Sequence, residues 1–183
     1  METFDERKFR EMVVYIAERS RSDVCFSMTK LHAILFYSDF AAYRQLGRSI
    51  SGAEYRHLSV GSAASELPAT SDGLIAEGAI SVVRVSAGRY VEKRANPQRR
   101  ADLSVFTDDE LAIIDKAIGD LWRLSAKQAG ALSRQEPGWR LTRSGEVIPY
   151  RTAWLSAAPL TDEQIVAGKE IAERHGLLES PTI

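Results

Sequence analysis

Two long segments near the start of the chain have apolar residues at helical spacing. Between about Asp5 and Ser20, successive apolar residues are alternately three and one positions apart. This spacing places five residues on one face of a helix: Phe9, Met12, Val13, Ile16 and Ala17. The second segment, Met28 to Leu46, is apolar on more than one side, which is typical of the central helix of a bundle. Ser27 is a suitable N-cap for this helix, and Gly47 is suited to end it.

The second half of the chain contains capping-box patterns, in which a Ser or Thr is followed three residues later by Glu or Gln. They predict three helix starts: Thr107, Ser125 and Thr161. The second of these helices is predicted to end near Arg134 and the third near His175, with Gly176 as its stop. The C-terminal helix therefore spans about 161–176 in this prediction.

The middle of the chain has weaker patterns. From Arg48 to Gly78, glycines, a proline and serines recur, which predicts mostly loop with one short helix. A β-hairpin is predicted next, from the β-branched run Ala79 to Val85, a turn at Ser86-Ala87-Gly88 and a return strand from Arg89 to Glu92. Residues 137–150 are predicted to be irregular.

These elements predict a mainly α (α+β) fold, namely a compact bundle of five or six helices with one small β-hairpin. The 183 residues suit a single domain that spans 1–183. The chain is 44% hydrophobic and 27% charged, which is ordinary for a globular protein, so composition alone indicates no function.

Charge and cysteine content exclude some classes of protein. The net charge of −1 argues against a general polyanion binder. The single cysteine, Cys25, cannot form an intrachain disulfide and favours a reducing compartment. The N-terminus does not resemble a secretory signal, and no apolar run approaches the about 20 residues of a membrane span. We therefore expect a cytoplasmic protein with no membrane partner.

Charge is unevenly distributed although its sum is near zero. Residues 84–100 contain six Arg or Lys and one acid, whereas residues 102–120 contain six acids and one Lys. One interpretation is a solvated basic loop beside an acidic helix N-terminus, which the helix dipole favours. The other interpretation is a bipolar docking surface.

The sequence offers little support for catalysis. The histidines His32, His57 and His175, together with Cys25, lack the spacing of metal ligands. Ser27 and Lys30 match a Ser-x-x-Lys spacing, but the partner motifs of such hydrolases are absent. No phosphate-binding glycine loop occurs. We therefore predict no enzyme, no catalytic residue, no metal site and no cofactor.

An alternative function is a winged-helix-like DNA-binding autoregulator of its own operon. The helix from Asp108, the following turn and the helix to Arg134 have the lengths of a helix-turn-helix, with residues 141–148 as a wing. Phosphate would then be contacted by Arg134, Arg140, Arg143 and Arg151. The short helix 126–132 is weakly basic, however, which argues against base recognition.

Polar and aromatic residues in unusual places remain to be explained. Lys30 and Asp39 lie within the apolar second helix, whereas Tyr55, Trp139 and Tyr150 lie in segments without periodicity. In one interpretation the charges pair inside the bundle and the aromatic rings close its ends. In the other they form a partner-binding surface, where Trp, Tyr and Arg are enriched.

The segment Lys30 to Phe40, KLHAILFYSDF, followed by Tyr43-Arg44 and by Gly47 to Tyr55, GRSISGAEY, resembles the Panacea antitoxin domain. This family includes the SocA-like, phage-associated proteins. The resemblance extends to the Asp108-Asp109-Glu110-Leu111 helix start and to a tryptophan before an Ile-Pro-Tyr turn. It covers about 27–155, and its first motif is the most specific.

Two positions depart from the family pattern. The family usually has a Gly-Pro pair where this chain has Gly61-Ser62, and Leu-Ser-His where it has Leu132-Ser133-Arg134. A proline or histidine that contacts a partner would be missing here, so the departures at Ser62 and Arg134 bear on partner choice. The core motif is intact.

The resemblance implies a helical antitoxin that is encoded beside a toxin in two-gene systems of bacteria and phages. Such proteins neutralise a cognate toxin by protein–protein contact, some members deliver the toxin to a protease, and no catalysis is attributed to the family. We expect four partner-contact residues: Tyr55, Trp139, Tyr150 and Arg134. We expect five residues to fix the second helix and the turns of the loop after it: Lys30, Asp39, Tyr43, Gly47 and Gly52.

Overall fold

The computed structural model describes residues 2–87, 90–155 and 161–174. This part of the chain contains seven α-helices: α1 (Glu6–Arg19), α2 (Met28–Leu46), α3 (Leu67–Ala76), α4 (Asp108–Asp120), α5 (Ala126–Ser133), α6 (Pro137–Arg140) and α7 (Asp162–Arg174). It also contains two antiparallel hairpins: β1 (Tyr55–Leu58) with β2 (Gly61–Ala64), and β3 (Ile80–Ala87) with β4 (Tyr90–Pro97). Short 3-10 helices occupy Leu103–Val105 and Tyr150–Trp154. The fold is mainly α with some β.

The ends of the first two helices confirm the sequence prediction. The Asp5 side chain accepts the Lys8 N–H at the start of α1, and the Ser27 side chain accepts the Lys30 N–H at the start of α2. Gly47 ends α2 in the left-handed conformation, with φ of 74°. These contacts satisfy backbone groups that a helix leaves open at its ends.

Both internal capping boxes are also present. Thr107 and Glu110 exchange hydrogen bonds at the start of α4, and Ser125 and Gln128 do so at the start of α5. The predicted C-terminal helix is α7, which begins one residue after Thr161. Its predicted end at His175 and Gly176 lies outside the described residues.

The predicted count of five or six helices and one hairpin is too low for the described residues. The additional helix, α6, is a single turn in the segment predicted to be irregular, and the additional hairpin, β1–β2, lies in the segment predicted as loop. Strand β2 reads Gly-Ser-Ala-Ala, without β-branched or aromatic residues, so its own propensity gives no strand signal. The one short helix expected in this segment is α3.

The predicted hairpin is present, but its turn was placed too early. Ala87 pairs with Tyr90, so Ser86 and Ala87 belong to β3 rather than to the turn. Gly88 and Arg89 lie outside the described residues. Strand β4 continues to Pro97, beyond the predicted end at Glu92.

Helix α2 lies at the centre of the hydrophobic core. It packs against α1, α4 and α5, against strands β2 and β4, and against the 3-10 helix Tyr150–Trp154. Its fully buried apolar residues include Leu31, Ile34, Leu35 and Phe36. Among the described residues, no helix has the length and apolar character needed to cross a membrane.

Gly52 allows the N-terminal segment to pack over the loop that follows α2. Its φ is 69°, and a Cβ atom there would lie 2.2 Å from the Thr3 carbonyl oxygen. Nearby, the Asp5 N–H donates to the Ser51 carbonyl oxygen at 2.7 Å. A side chain at residue 52 would therefore strain the backbone and push away the residues before α1.

Candidate functional site

The Asp39 carboxylate organises the loop after α2. Its Oδ1 accepts the N–H groups of Ile50 and Ser51, both at 2.8 Å. Its Oδ2 accepts the Ser51 hydroxyl at 2.5 Å and the Tyr55 hydroxyl at 2.7 Å. Burial raises the pKa of the Asp39 carboxyl, and the hydrogen bonds from Ser51, Tyr55 and Ile50 oppose that rise.

Tyr55, a predicted partner-contact residue, lies in the core. It is 1% exposed, and its ring packs edge-on against Phe36 and Phe40, with centroid distances of 5.5 and 5.7 Å. Its hydroxyl is used by Asp39. Because almost none of its surface is accessible, we correct its assignment from partner contact to a structural role.

Lys30 fixes a different loop from the one expected. Its ammonium group forms a buried ion pair with Asp23, in the loop between α1 and α2. The other oxygen of Asp23 accepts the Cys25 N–H at 3.0 Å. Lys30 therefore holds the loop before α2, whereas Asp39 holds the loop after it.

Tyr150 and Tyr43 close one end of the core. The Tyr150 hydroxyl donates to the Ala53 carbonyl oxygen at 2.7 Å, and its half-buried ring stacks on Phe40 and Tyr43 at 4.9 and 5.5 Å. Trp154 continues the stack beside Tyr43 at 4.9 Å and is 59% exposed. Most of the Tyr150 ring is therefore engaged within the protein, which leaves it little free surface.

Trp139 lies at a junction between α6 and the first hairpin. Its indole N–H donates to the Leu58 carbonyl oxygen at 3.2 Å, and its ring stacks on His57 with a centroid distance of 3.8 Å. The His57 Nδ1 atom lies 3.4 Å from the Thr142 hydroxyl. Trp139 remains half-buried, so part of its ring is accessible.

The chain segments that meet near Trp139 carry exposed apolar side chains. We define the Trp139 surface as Trp139 together with five exposed apolar residues: Leu58 (40% exposed), Val60 (58%), Leu132 (38%), Leu141 (69%) and Val147 (39%). They come from the β1–β2 turn, from α5 and from the segment after α6. Exposed apolar patches mark interaction sites, so we take these residues as the candidate surface.

The rim of the Trp139 surface is basic. Arg134 is half-buried and donates to the Val60 carbonyl oxygen at 3.3 Å. Arg140 and Arg143 are exposed on the segment that adjoins Trp139. Two acids lie in the same segments: Glu136 at the start of α6, and Glu146, whose carboxylate accepts the Arg143 backbone N–H at 2.7 Å. Arg134, a predicted contact residue, therefore lies at this surface.

The segment expected to form a wing has another structure. The His57 backbone N–H donates to the Glu146 carbonyl oxygen at 3.0 Å, and the Ile148 backbone N–H donates to the Tyr55 carbonyl oxygen at 2.7 Å. Residues 145–148 thus run along the free edge of β1 and do not form a separate hairpin. Helix α5 packs Gly130 and Ser133 against the first hairpin, which removes this face from any groove-reading role.

Leu58 and Val60 are not among the predicted site residues. Both lie in the segment predicted as loop, where single apolar residues gave no periodic signal. The pattern Leu58-Ser59-Val60-Gly61, with alternating apolar residues before a glycine, is the local signal that a hairpin turn lies here. The contacts to Trp139 and Arg134 are long-range and have no local signal.

Part of each charged run is used within the protein. In the basic run, Arg94 donates to the carbonyl oxygens of Ser20 and Asp23 at 3.0 Å, and Arg99 pairs with Glu11 at 2.6 Å. In the acidic run, buried Glu110 pairs with Lys8 and with Arg48. Asp115 pairs with Arg19 at 3.1 Å. These contacts within the fold account for part of the bipolar pattern, whereas Arg84 and Lys93 form no ion pair within the described residues.

The described residues contain no group of three or more His, Cys, Asp or Glu that could hold a metal ion. His32 instead accepts the Ala64 N–H through Nδ1 at 3.1 Å, which fixes β2 to α2. His175 lies outside the described residues. Burial lowers the pKa of His32 from 6.5 to about 4, because the charged form is desolvated there.

The His32 pKa predicts a pH dependence of stability. Because the folded protein holds His32 neutral, its contribution is complete above about pH 6.5 and is lost as the pH falls to about 4. The expected loss reaches about 3 kcal/mol in the free energy of unfolding. Denaturant unfolding at pH 7, 5.5 and 4.5 measures it. The control, His32→Asn, keeps an acceptor near the Nδ1 position, so equal pH slopes in both proteins would contradict this origin.

A helical fold with an exposed apolar surface and a basic rim is typical of a protein-binding module. The family model for the SocA-like antitoxin, Panacea domain, matches residues 31–140, more than half of the chain, and the protein belongs to this family. This confirms the resemblance seen in the sequence. The matched region extends from α2 through α6 and includes Trp139, whereas Tyr150 and α7 lie beyond it. No curated protein and no solved structure matches the chain significantly.

Proposed function

We propose that this protein is a non-enzymatic antitoxin that neutralises a cognate toxin by direct contact through the Trp139 surface. The observation that supports the antitoxin role is the family match over residues 31–140. The exposed apolar residues of the Trp139 surface support direct contact, because their burial against a partner is favourable by about 25 cal/mol per Å².

The composition of the surface fits a protein partner. Trp and Arg are enriched where proteins bind one another, and energetically important residues are often anchored by such side chains. Trp139 is anchored by its hydrogen bond to Leu58 and by the His57 ring, so little conformational entropy is lost when it is contacted. The exposed Arg140 and Arg143 would steer and orient an acidic partner surface.

Both departures from the family pattern lie at or beneath this surface. Arg134 is hydrogen-bonded to the Val60 carbonyl oxygen on its rim. Ser62 is buried below it, with its N–H donated to the Ser133 hydroxyl at 3.1 Å. We infer that these two positions adapt the surface to the toxin of this particular system.

A growth-rescue experiment tests the proposal. The product of the adjacent gene is expressed with the wild-type protein or with Leu141→Asp or Val60→Asp, and both survival and co-purification are measured. Each aspartate places a charge in an apolar contact, so we expect toxin binding to weaken about 30- to 100-fold and protection to fall accordingly. Val24→Asp is the matched control, since Val24 is 81% exposed and belongs to the loop before α2, which contributes no residue to the Trp139 surface.

The outcomes separate the mechanisms. Neutralisation through the Trp139 surface is supported if both surface variants lose rescue and co-purification while Val24→Asp keeps them. Wild-type rescue without a stable complex, together with a shortened toxin half-life, points to delivery of the toxin to a protease. The antitoxin proposal is wrong if the wild-type protein neither binds nor protects.

A further inference from the structure

The outer part of the second hairpin projects from the body of the protein. Near its base, Ile80, Ala95 and Pro97 are buried. Further out, Val83, Val85 and Val91 are 39, 36 and 66% exposed. We define the hairpin arm as residues 83–85 of β3 and 91–93 of β4. Because neighbouring residues of a strand point to opposite faces, exposure at 83, 84 and 85 means that both faces are open.

Two cations face each other across the arm. The register pairs Arg84 with Lys93, and both side chains are exposed. Neither forms an ion pair within the described parts of the chain. The acid of the arm, Glu92, pairs with Val85 on the opposite face. Like charges directly opposite one another destabilise a hairpin, so an anion brought to this face would stabilise it.

The arm also has unpaired strand edges. Within residues 2–87, 90–155 and 161–174, β3 and β4 pair with each other and with no further strand. Each outer edge therefore presents N–H and C=O groups to which an extended chain can bond. Side chains of an added strand would alternate between the cationic face and the face of Val83 and Val85.

We propose that the hairpin arm binds an extended, carboxylate-bearing segment of a partner protein as an added β-strand. Its acidic side chains pair with Arg84 and Lys93, and its alternate apolar side chains pack on Val83 and Val85. The arm shares no residue with the Trp139 surface, so this partner and the toxin are bound independently.

Charge and apolar exposure together select this occupant. A second copy of the chain would bring four cations together, which repel. Within the described residues of the arm, a nucleic acid would meet two phosphate-binding cations, fewer than the about 6 to 10 phosphate contacts of salt-sensitive DNA binding. It would also meet three exposed valines, which offer phosphate nothing. An acidic, β-branched strand complements both faces.

The test uses a fluorescent octapeptide of alternating Val and Glu, with an alternating Val–Lys peptide as its counterpart. Fluorescence anisotropy of the full-length protein should show binding of the Val–Glu peptide that weakens with salt, and no binding of the Val–Lys peptide. Hydrogen exchange should show new protection of backbone amides in 83–85 or 91–93.

A charge-reversed variant provides the specificity control. Arg84→Glu/Lys93→Glu should bind the Val–Glu peptide at least about tenfold more weakly and should gain binding of the Val–Lys peptide. Lys169→Glu/Arg174→Glu changes the net charge equally on exposed α7 and should behave as wild type.

Three results would overturn the proposal. The first is no binding of the Val–Glu peptide by the wild-type protein. The second is equal binding by wild type and the charge-reversed variant. The third is binding of duplex DNA that depends on Arg84 and Lys93 while the peptide is ignored. The charge-reversed variant could also self-associate while the wild-type protein fails to bind the peptide. In that case the role of Arg84 and Lys93 is to keep the arms of separate molecules apart, and the proposal is wrong.

Discussion

The Asp39→Ala variant is expected to lose about 3–5 kcal/mol of unfolding free energy, a large share of the stability of a domain this size. The substitution removes the acceptor of four hydrogen bonds, from Ile50, Ser51 and Tyr55. The two backbone N–H groups are buried and cannot turn towards water. Urea unfolding followed by circular dichroism measures the difference.

Two milder variants locate the origin of this loss. Asp39→Asn keeps an acceptor for both backbone N–H groups, so we expect a loss of about 1–2 kcal/mol. Tyr55→Phe removes one hydroxyl donor and leaves the other three bonds, with an expected loss of about 1 kcal/mol. If Asp39→Ala is no less stable than Asp39→Asn, the carboxylate does not hold the loop.

The Lys30→Met variant is expected to lose about 3–5 kcal/mol of unfolding free energy, because it leaves the Asp23 carboxylate buried without its counter-charge. Lys30 and Asp23 are 0 and 2% exposed, so water cannot take over the solvation of the remaining charge. Methionine fills a similar volume, so a cavity contributes little to the expected loss. Thermal and urea unfolding provide the measurement.

The matching double variant distinguishes the lost charge pair from lost packing. In Lys30→Met/Asp23→Asn both charges are removed, while the asparagine oxygen can still accept the Cys25 N–H. We expect the double variant to recover most of the stability, to within about 1.5 kcal/mol of wild type. A double variant as unstable as Lys30→Met alone would indicate that packing or helix geometry, not the ion pair, dominates.

Features encoded within a few residues could be predicted from the sequence. The apolar periodicity of α1, the N-cap at Ser27 and the capping boxes at Thr107 and Ser125 each act over one helical turn. The central position of α2 followed from its apolar character on several sides. Their signals are local and can be read without a distant partner, although packing of the apolar faces supplies most of the stability of these helices.

The first hairpin has only the Leu58–Gly61 pattern as a local signal, because distant residues hold most of it. The Ala64 N–H is bonded to His32, and the Ser62 N–H is bonded to Ser133, which lies 71 positions away. A Cβ at Gly130 would lie 2.2 Å from the Val60 carbonyl oxygen, so α5 and the hairpin turn fit together only because residue 130 is glycine. Such packing has no local sequence pattern.

The aromatic residues of the candidate site show the same limit. Tyr55 and Trp139 both lie in segments without periodicity, so a partner-contact role is predicted for both of them. The structure separates them, because Tyr55 meets the buried Asp39 and Trp139 meets the half-exposed His57. Which of them reaches the surface depends on tertiary contacts alone. The contact role of Trp139 and Arg134 stays a prediction.

The Trp139 surface is assembled from three stretches of chain that are far apart in sequence, around residues 58–60, 132–134 and 139–147. It therefore exists in the native state and not in the unfolded chain. In the proposed role, toxin bound there would stabilise the native state by mass action, by about 2.7 kcal/mol at a free concentration 100 times Kd. Since proteases in a cell act mainly on opened chains, the toxin would then lengthen the lifetime of its own antidote, and a fall in toxin would hasten the antidote's turnover.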